Sequence, residues 1–521
     1  MEVQRGVGRW LLVMVMAILM TGCSTNQDVS TMGSGSDKAS KDGGTLVITR
    51  LSDAENLDHH FMSTINAASV THSKVYEGLV GRDKNAEIQP LLAESWKQLN
   101  DTTWEFKLRE DVTFHDGTPF NANAVKATFD RLLDPKVASP RAVVFEMVKE
   151  VKIVDDYTVQ FILTKPFSPL LSILAGHEGG IISPKAIEKY GKKMIQEPNG
   201  TGPFVFESWT PGQEINLSKN KSYWGTAPKV DKVVFKVVPE ETTRIAMLET
   251  GEAHIAEPLS VAMMDTVEAS SAVEAYRSEG FGTEFISFNV QKKPFNDVRV
   301  RKAIAHAVEM DSIIEGVFNN VGKKSNSLLG SKVLGYHEGL KAYDYNLNAA
   351  KKLLAEAGYP NGFETTLITM DNKERANLAE VLQSQLKGIG INVKVQVMEF
   401  GTFIEQINKG NTEMFISSWR NATGDADYNQ YNLFHTNSHG AAGNTFFYSN
   451  KEVDRLIEAA RSEKDEAKRI ELYAKAQEIE MEDAVYIPVR VIENMAAIAK
   501  GVEGFSMSPS GYLEINDVST E

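Results

Sequence analysis

The chain has 521 residues, 42% hydrophobic and 24% charged, with a formal net charge of −15 and one cysteine. A chain this long exceeds what one hydrophobic core organises, so two or three domains are expected. The composition is that of a soluble globular protein. An acidic surface repels phosphate backbones and anionic lipid, which excludes nucleic acid as a partner of the whole surface. A single cysteine excludes an internal disulfide.

Arg5 and Arg9 precede an 11-residue apolar run, "WLLVMVMAILM", from Trp10 to Met20. That run is too short for an ordinary membrane span and suits the core of a signal peptide, expected here over residues 1–22. Cys23 follows Thr21-Gly22 and resembles the lipidated cysteine of a bacterial lipoprotein box, with Met20 where leucine is usual. Residues 24–42 are Ser, Gly, Asp and Lys with little to bury, the composition of a flexible tether. A folded body is expected from residue 43.

"GGTLVITR" (43–50) opens the body as a strand. In "TWEFKL" (103–108) Trp104, Phe106 and Leu108 share one face of a strand, and "VKIVDDYTVQFIL" is a hairpin turning at Asp155-Asp156. "VDKVVFKVV" (230–238) is another strand, closed by Pro239. Further on, Ala350, Leu353, Leu354 and Ala357 recur at helical spacing, and Gly358 and Pro360 stop the helix. "ETTLITM", "ANLAEVLQSQLKGIG" and "INVKVQV" are strand, helix and strand, a βαβ unit. Leu472, Ala476 and Ile479 mark a last amphipathic helix. The chain is α/β, β-rich first and alternating later.

Enzyme signatures are absent from the sequence: no H-E-x-x-H, no G-x-S-x-G and no G-x-x-x-x-G-K-[ST] occurs. "GTGPF" (200–204) is too short to cradle a dinucleotide. His59 and His60 beside Asp58 are a weak metal candidate, because adjacent histidines in a strand point to opposite faces. The stretch "SSWRNATGDADYNQYNLFH" (417–435) gathers Trp419, Arg420, Asp425, Asp427, Tyr428 and Tyr431. Its two acids are paired carboxylates, calcium ligands, or caps of a turn and a helix; capping is preferred for at least one.

Four segments in order carry a resemblance: "LAESWKQLNDTTWEFKLREDVTFHDGTPFNANAVKATFDR" (92–131), "GTGPF" (200–204), "EETTRIAMLETGEAHI" (240–255) and "FNVQKKPFNDVRVRKAIAHAVEMDSI" (288–313). Together, behind a lipoprotein box, they resemble the extracytoplasmic solute-binding proteins of ABC importers, in the peptide- and nickel-binding class, over about residues 43–515. The resemblance implies a two-lobe fold like that of type II periplasmic binding proteins. The first lobe would take 43–288 and 490–521, with an inserted β-rich subdomain at 76–200. The second would take 289–489, with crossovers near 288 and 490. It implies no enzyme and no cofactor, but a monomeric receptor, lipid-anchored through Cys23 outside the cytoplasm. That receptor would capture short peptides and deliver them to permease subunits in the membrane.

In the peptide binders of this class a Trp-containing loop of the second lobe lines the cleft, and Trp419 falls there. An aspartate three residues on, which pairs with the ligand's ammonium, is here Ala422. Asp425, Asp427 or, from the first lobe, Glu55 are the replacement candidates, and Arg420, Arg375 and Arg141 are candidates for a ligand carboxylate. Tyr428 adds a second aromatic. "TGDADY…LFH" resembles a subgroup with glutathione-binding members, so glutathione or another modified peptide is the alternative ligand. A nickel chelate or haem is less favoured for want of a histidine cluster. A secreted hydrolase using Asp425 and Asp427 is the alternative from another class.

Overall fold

Two long strands, Val273–Phe288 and Tyr486–Ala499, pair antiparallel and carry the main sheet of the protein. The computed structural model describes residues 43–62 and 64–520; the expected signal peptide, Cys23 and tether lie outside these. From one edge the sheet runs Asn392–Met398, Glu364–Met370, Met414–Arg420, Val273–Phe288, Tyr486–Ala499, Ile255–Glu257, Thr45–Arg50, Lys232–Val237, Glu214–Lys219 and Phe204–Thr210.

The register between the two long strands slips between Glu279/Thr283 and again between Glu284/Phe285. Such irregularities break the ladder and sharpen the local twist. On one side of the slip, 273–279 pairs with 493–499, which leads to Ile255–Glu257 and Thr45–Arg50. On the other, 282–288 pairs with Met414–Arg420 and so reaches the parallel pair Glu364–Met370 and Asn392–Met398. Both strands run on through the slip; residue 288 ends the first of them and residue 490 lies within the second.

Separate hydrophobic clusters sit on either side of that break. One gathers Leu46, Ile48, Phe204, Val233 and Phe235 with the C-terminal Leu513 and Ile515. Two more serve the later half, around Ile304, Leu367, Leu382 and Ile416, and around Phe415, Phe434, Phe446 and Tyr486. A further cluster belongs to a four-stranded sheet ordered Ala93–Asn100, Thr103–Leu108, Thr158–Leu163, Val148–Asp155. The last two strands are the hairpin predicted from the sequence. Phe106 and Leu108 point inward as their alternation requires, with Trp104 half-buried beside them.

Local chemistry explains the helices. Asp116 accepts from the Thr118 N–H at 2.9 Å and Gly117 takes φ +79°, turning the chain into helix Ala122–Leu133. Asn121 caps that helix through the N–H groups of Asn123 and Ala124. The helix lays Phe129 and Leu132, both fully buried, on the four-stranded sheet, each worth about 1.5–3 kcal/mol of transfer free energy. Asp297 and Asn346 cap the helices Val298–Ala307 and Leu347–Glu356 in the same way, and Gly358 follows the latter with φ +92°. The βαβ unit forms as read, its helix Lys373–Lys387 starting a few residues early because Asn372 caps it.

One expectation needs correcting. His59 and His60 stand in a turn, not a strand, and both rings are buried 4.6 Å apart instead of facing opposite ways. Arg131 occupies their polar surroundings, pairing with Asp58 and donating to His60 Nδ1 at 2.7 Å.

Candidate functional site

A cavity of about 1070 Å³ lies over the slipped segment of the two long strands, floored by Ile492, Glu493, Asn494 and Met495. Its walls come from the early half (Asn66, Arg244, Glu257), the four-stranded subdomain (Arg141, His177, Glu178) and the later half (Asn372, Glu374, Arg420, Tyr428). Its size is that of small-ligand sites.

On the early wall most charges are spent on structure. Arg244 donates to the carbonyls of Val238, Pro239 and Pro258 at 2.9–3.0 Å. Glu257 pairs with buried Arg50, which also reaches Asn66. Glu241 accepts from the Ser260 N–H and hydroxyl at 2.6 and 2.8 Å.

The later wall is cationic. Glu284, 3% exposed, takes Arg375 Nε on one oxygen and Arg490 Nε on the other, each at 2.9 Å. Arg375 also donates to Ser418 Oγ at 2.6 Å, and Arg490 to the Val321 carbonyl at 2.8 Å. One carboxylate thus serves two guanidiniums, and Arg420 adds a third charge beside them. Among the described residues its only hydrogen bond is a long one, 3.5 Å to Asn494 Oδ1. Water reaches Arg420 through the cavity although protein encloses it, and this enclosure, together with the Arg375 charge, lowers its pKa. A guanidinium in that setting can meet an anion with its N–H groups.

The subdomain wall presents Arg141, His177 and Glu178. His177 Nδ1 lies 2.9 Å from the Tyr512 hydroxyl and 3.3 Å from Glu178; burial lowers its pKa, with Glu178 opposing. Tyr428 faces this wall from the later half. Burial, with the Glu178 charge adding to it, pushes its phenol up to about 12, so it is a neutral hydroxyl at physiological pH.

The stretch 417–435 therefore has two sides. Arg420, Ala422 and Tyr428 line the cavity. Behind them Asn421 organises the loop, accepting from the Thr423 and Gly424 N–H groups and donating to the Asp425 carbonyl at 2.8 Å. Gly424, at φ +64°, leaves no room for a Cβ against the Phe281 ring, 2.8 Å away. Asp425, 1% exposed, caps helix Ala426–Asn429 and pairs through both oxygens with Arg469 at 2.5 and 2.8 Å. Burial works against that carboxylate, but Arg469 and the hydrogen bonds hold its pKa below the usual range. Arg461 Nε lies 2.9 Å from Asp427, an ion contact whose N–H does not point at the oxygen, and Tyr473 donates to the same acid at 3.3 Å. Burial pushes the Asp427 carboxyl up, Arg461 offsetting it in part.

Of the residues expected at the site, the fold brings Arg141, Arg420 and Tyr428 together at the cavity. Asp425 and Asp427 stand off the cavity lining: both are buried, Asp425 paired with Arg469 and Asp427 in contact with Arg461. Trp419 stands one layer back, its ring 5.6 Å from Tyr428 and packed on the Phe415 cluster. Arg375 is turned to Glu284. Glu55 accepts from the Thr64 N–H at 3.0 Å, and Thr64 is the residue of that pair on the cavity wall.

Sequence reasoning missed His177, Glu178, Glu284, Arg490 and Tyr512. One signal was readable: His177-Glu178 are the only titratable residues in the run from Leu170 to Ile182, which is otherwise apolar and glycine apart from Ser172. The others sit in unremarkable strands and loops. Among the described residues no cluster of His, Cys, Asp and Glu is placed to hold a metal, and no helix is long and apolar enough to cross a membrane.

Comparison with known proteins gives a consistent set. The family of bacterial extracellular solute-binding proteins, family 5 Middle, matches residues 87–441. The chain is 34% identical to the glutathione-binding protein GsiB of Escherichia coli (strain K12), over 86% of this chain and 89% of that one. Among solved structures it is similar to the ABC transporter-associated periplasmic binding protein DppA of Helicobacter pylori in complex with the peptide STSA. That match has 30% identity and a TM-score of 0.78, over 92% of this chain and 98% of that one. It is also similar to the dipeptide-binding protein of Pseudoalteromonas sp. SM9913 in complex with Met-Leu. There the identity is 25% and the TM-score 0.79, over 92% and 100% of the two chains. The fold is thus that of the type II periplasmic binding proteins.

Proposed function

The chain belongs to the bacterial extracellular solute-binding proteins, family 5, and from that membership and the cavity we propose that it captures short peptides for an ABC importer. The observation that carries the reading is Arg420, a guanidinium short of acceptors on the wall of a cavity lined from both halves of the sheet. A peptide's terminal carboxylate meets its fork with two oxygens, and the neutral Tyr428 hydroxyl and Glu178, Glu240 and Glu374 remain for the other polar groups. The two halves act as lobes, 43–288 with 490–521 and 289–489. They close on the ligand by motion at the slipped strands, and ligand favours the closed population. The closed receptor docks as a monomer on permease subunits, which take the peptide.

In this reading residues 1–22 direct export, Cys23 carries the lipid and residues 24–42 are the tether. Cys23→Ser should release the protein from membranes with its affinity intact, and normal membrane retention would refute the anchor. Relatives of this chain are named for binding, and a receptor returns its ligand unchanged. Calorimetry with di- and tripeptides, followed by mass measurement of the recovered ligand, tests the whole proposal. Absence of binding across such a panel, or cleavage of a peptide that binds, would overturn it. Glutathione or another modified peptide is the second reading, favoured by Ala422, which lines the cavity and supplies no carboxylate for an ordinary amino terminus.

A further inference from the structure

The loop between strand Met414–Arg420 and helix Ala426–Asn429 brings Arg420, Ala422 and Tyr428 to the cavity, and the subdomain grips its opposite face. Arg82 donates to the Thr423 carbonyl, and at 2.7 Å to the Ala86 carbonyl of its own hairpin. Gly424 permits that approach, since a Cβ there would lie 3.1 Å from Arg82 Cζ. Ser172 Oγ donates to Asp425 Oδ2 at 3.0 Å. Nearby, the Ser168 N–H donates to the Arg461 carbonyl at 2.8 Å, and the Arg461 guanidinium lies over the Phe167 ring. Ala86 is buried with Phe281, Val333, Ala426 and Tyr473 of the later half. Arg82, Ser168 and Ser172 all stand off the cavity lining.

The buried charges at this contact are satisfied within one half. Asp425 has both Arg469 bonds and Asp427 has Arg461, and all four residues belong to the later half. Parting the subdomain from the loop breaks the Arg82–Thr423 bond and a few serine hydrogen bonds, whose groups water can take over. It strands no buried ion, as a contact that opens and closes requires. The loop that is gripped also carries Arg420 and Tyr428, so what fixes its outer face places them on the cavity wall. We propose that Arg82, Ser168 and Ser172 are a latch: positioning residues that keep part of the unliganded population closed and set the affinity for every ligand without touching one. This rests on the two-lobe reading above and adds the residues that govern its closed fraction. A ligand's apparent dissociation constant is its intrinsic one divided by that fraction, so loosening the latch weakens all ligands by one common factor.

Arg82→Met and, should that variant unfold, Ser172→Ala test it in two ways. Small-angle scattering without ligand is expected to give a larger radius of gyration for the variant than for the native chain. Calorimetry with Ala-Ala, Leu-Leu, Ala-Ala-Ala and Leu-Leu-Leu is expected to show each peptide that binds losing affinity by the same factor. That factor is about tenfold for Arg82→Met, the loss of one charge-assisted bond, and smaller for Ser172→Ala. An unchanged radius in a folded variant would overturn the latch, whatever its melting temperature. Losses that differ among the peptides by more than about threefold would make the replaced residue a ligand contact and overturn it equally. Should none of the four peptides bind the native chain, the peptide reading falls and the scattering alone decides the latch.

Discussion

Replacing Arg420 with glutamine should change stability and affinity in opposite senses. Among the described residues the Arg420 guanidinium has one long hydrogen bond and the Arg375 charge beside it, while Glu284 is already shared by Arg375 and Arg490. Removing it relieves repulsion and loses almost no bonding. Water reaches the group through the cavity, so screening keeps the relief to about 0–1 kcal/mol. The ligand carboxylate, however, loses a charge-assisted pair worth about 1.5–3 kcal/mol, or roughly ten- to 150-fold in affinity. Urea unfolding of the unliganded protein and calorimetry with a bound peptide, both on Arg420→Gln and the native chain, measure the two signs. A variant that unfolds more easily by over about 1 kcal/mol would show that Arg420 holds the fold. Unchanged affinity would remove it from the site. Either result refutes the reasoning.

Three further outcomes are expected. Arg469→Met leaves Asp425 buried and unpaired and should cost about 3–5 kcal/mol in urea unfolding, most of it recovered by adding Asp425→Asn; a loss below 1 kcal/mol would sink the account of that pair. Trp419→Ala removes the ring behind Tyr428 and should cost about 2–4 kcal/mol of stability, below the range for a fully buried tryptophan, and also weaken ligand binding; a variant with native melting and lost affinity would instead put Trp419 itself against the ligand. Glu480 is fully buried with Gln430 as its hydrogen-bond partner, and burial raises its pKa from 4.5 to about 8. The folded chain then keeps a proton that the unfolded chain loses, so stability should fall as pH rises from 4.5 to about 8, by up to about 1.4 kcal/mol per unit. Glu480→Gln should lack that decline, and parallel slopes in the two proteins would refute it.

The amino-acid sequence by itself determined what depends on neighbours a few residues apart. The stop at Gly358, the hairpin at Asp155-Asp156 and the βαβ unit are each written in spacing, because a helix stop or a turn closes within a few residues of backbone. The family was legible too, from four segments in fixed order. Tertiary structure alone decided which polar residues of the 417–435 stretch meet a ligand. Asp425 looked as available as Arg420 until Arg469, 44 residues further on, and Ser172, from the subdomain, closed around it. Arg375 was an open candidate until Glu284, on a long strand of the main sheet, claimed it. The same packing left Arg420 short of partners and set Arg141, His177 and Glu178 at the cavity. A charge is free or spent according to what the fold brings within about 4 Å of it, and local spacing carries no record of that.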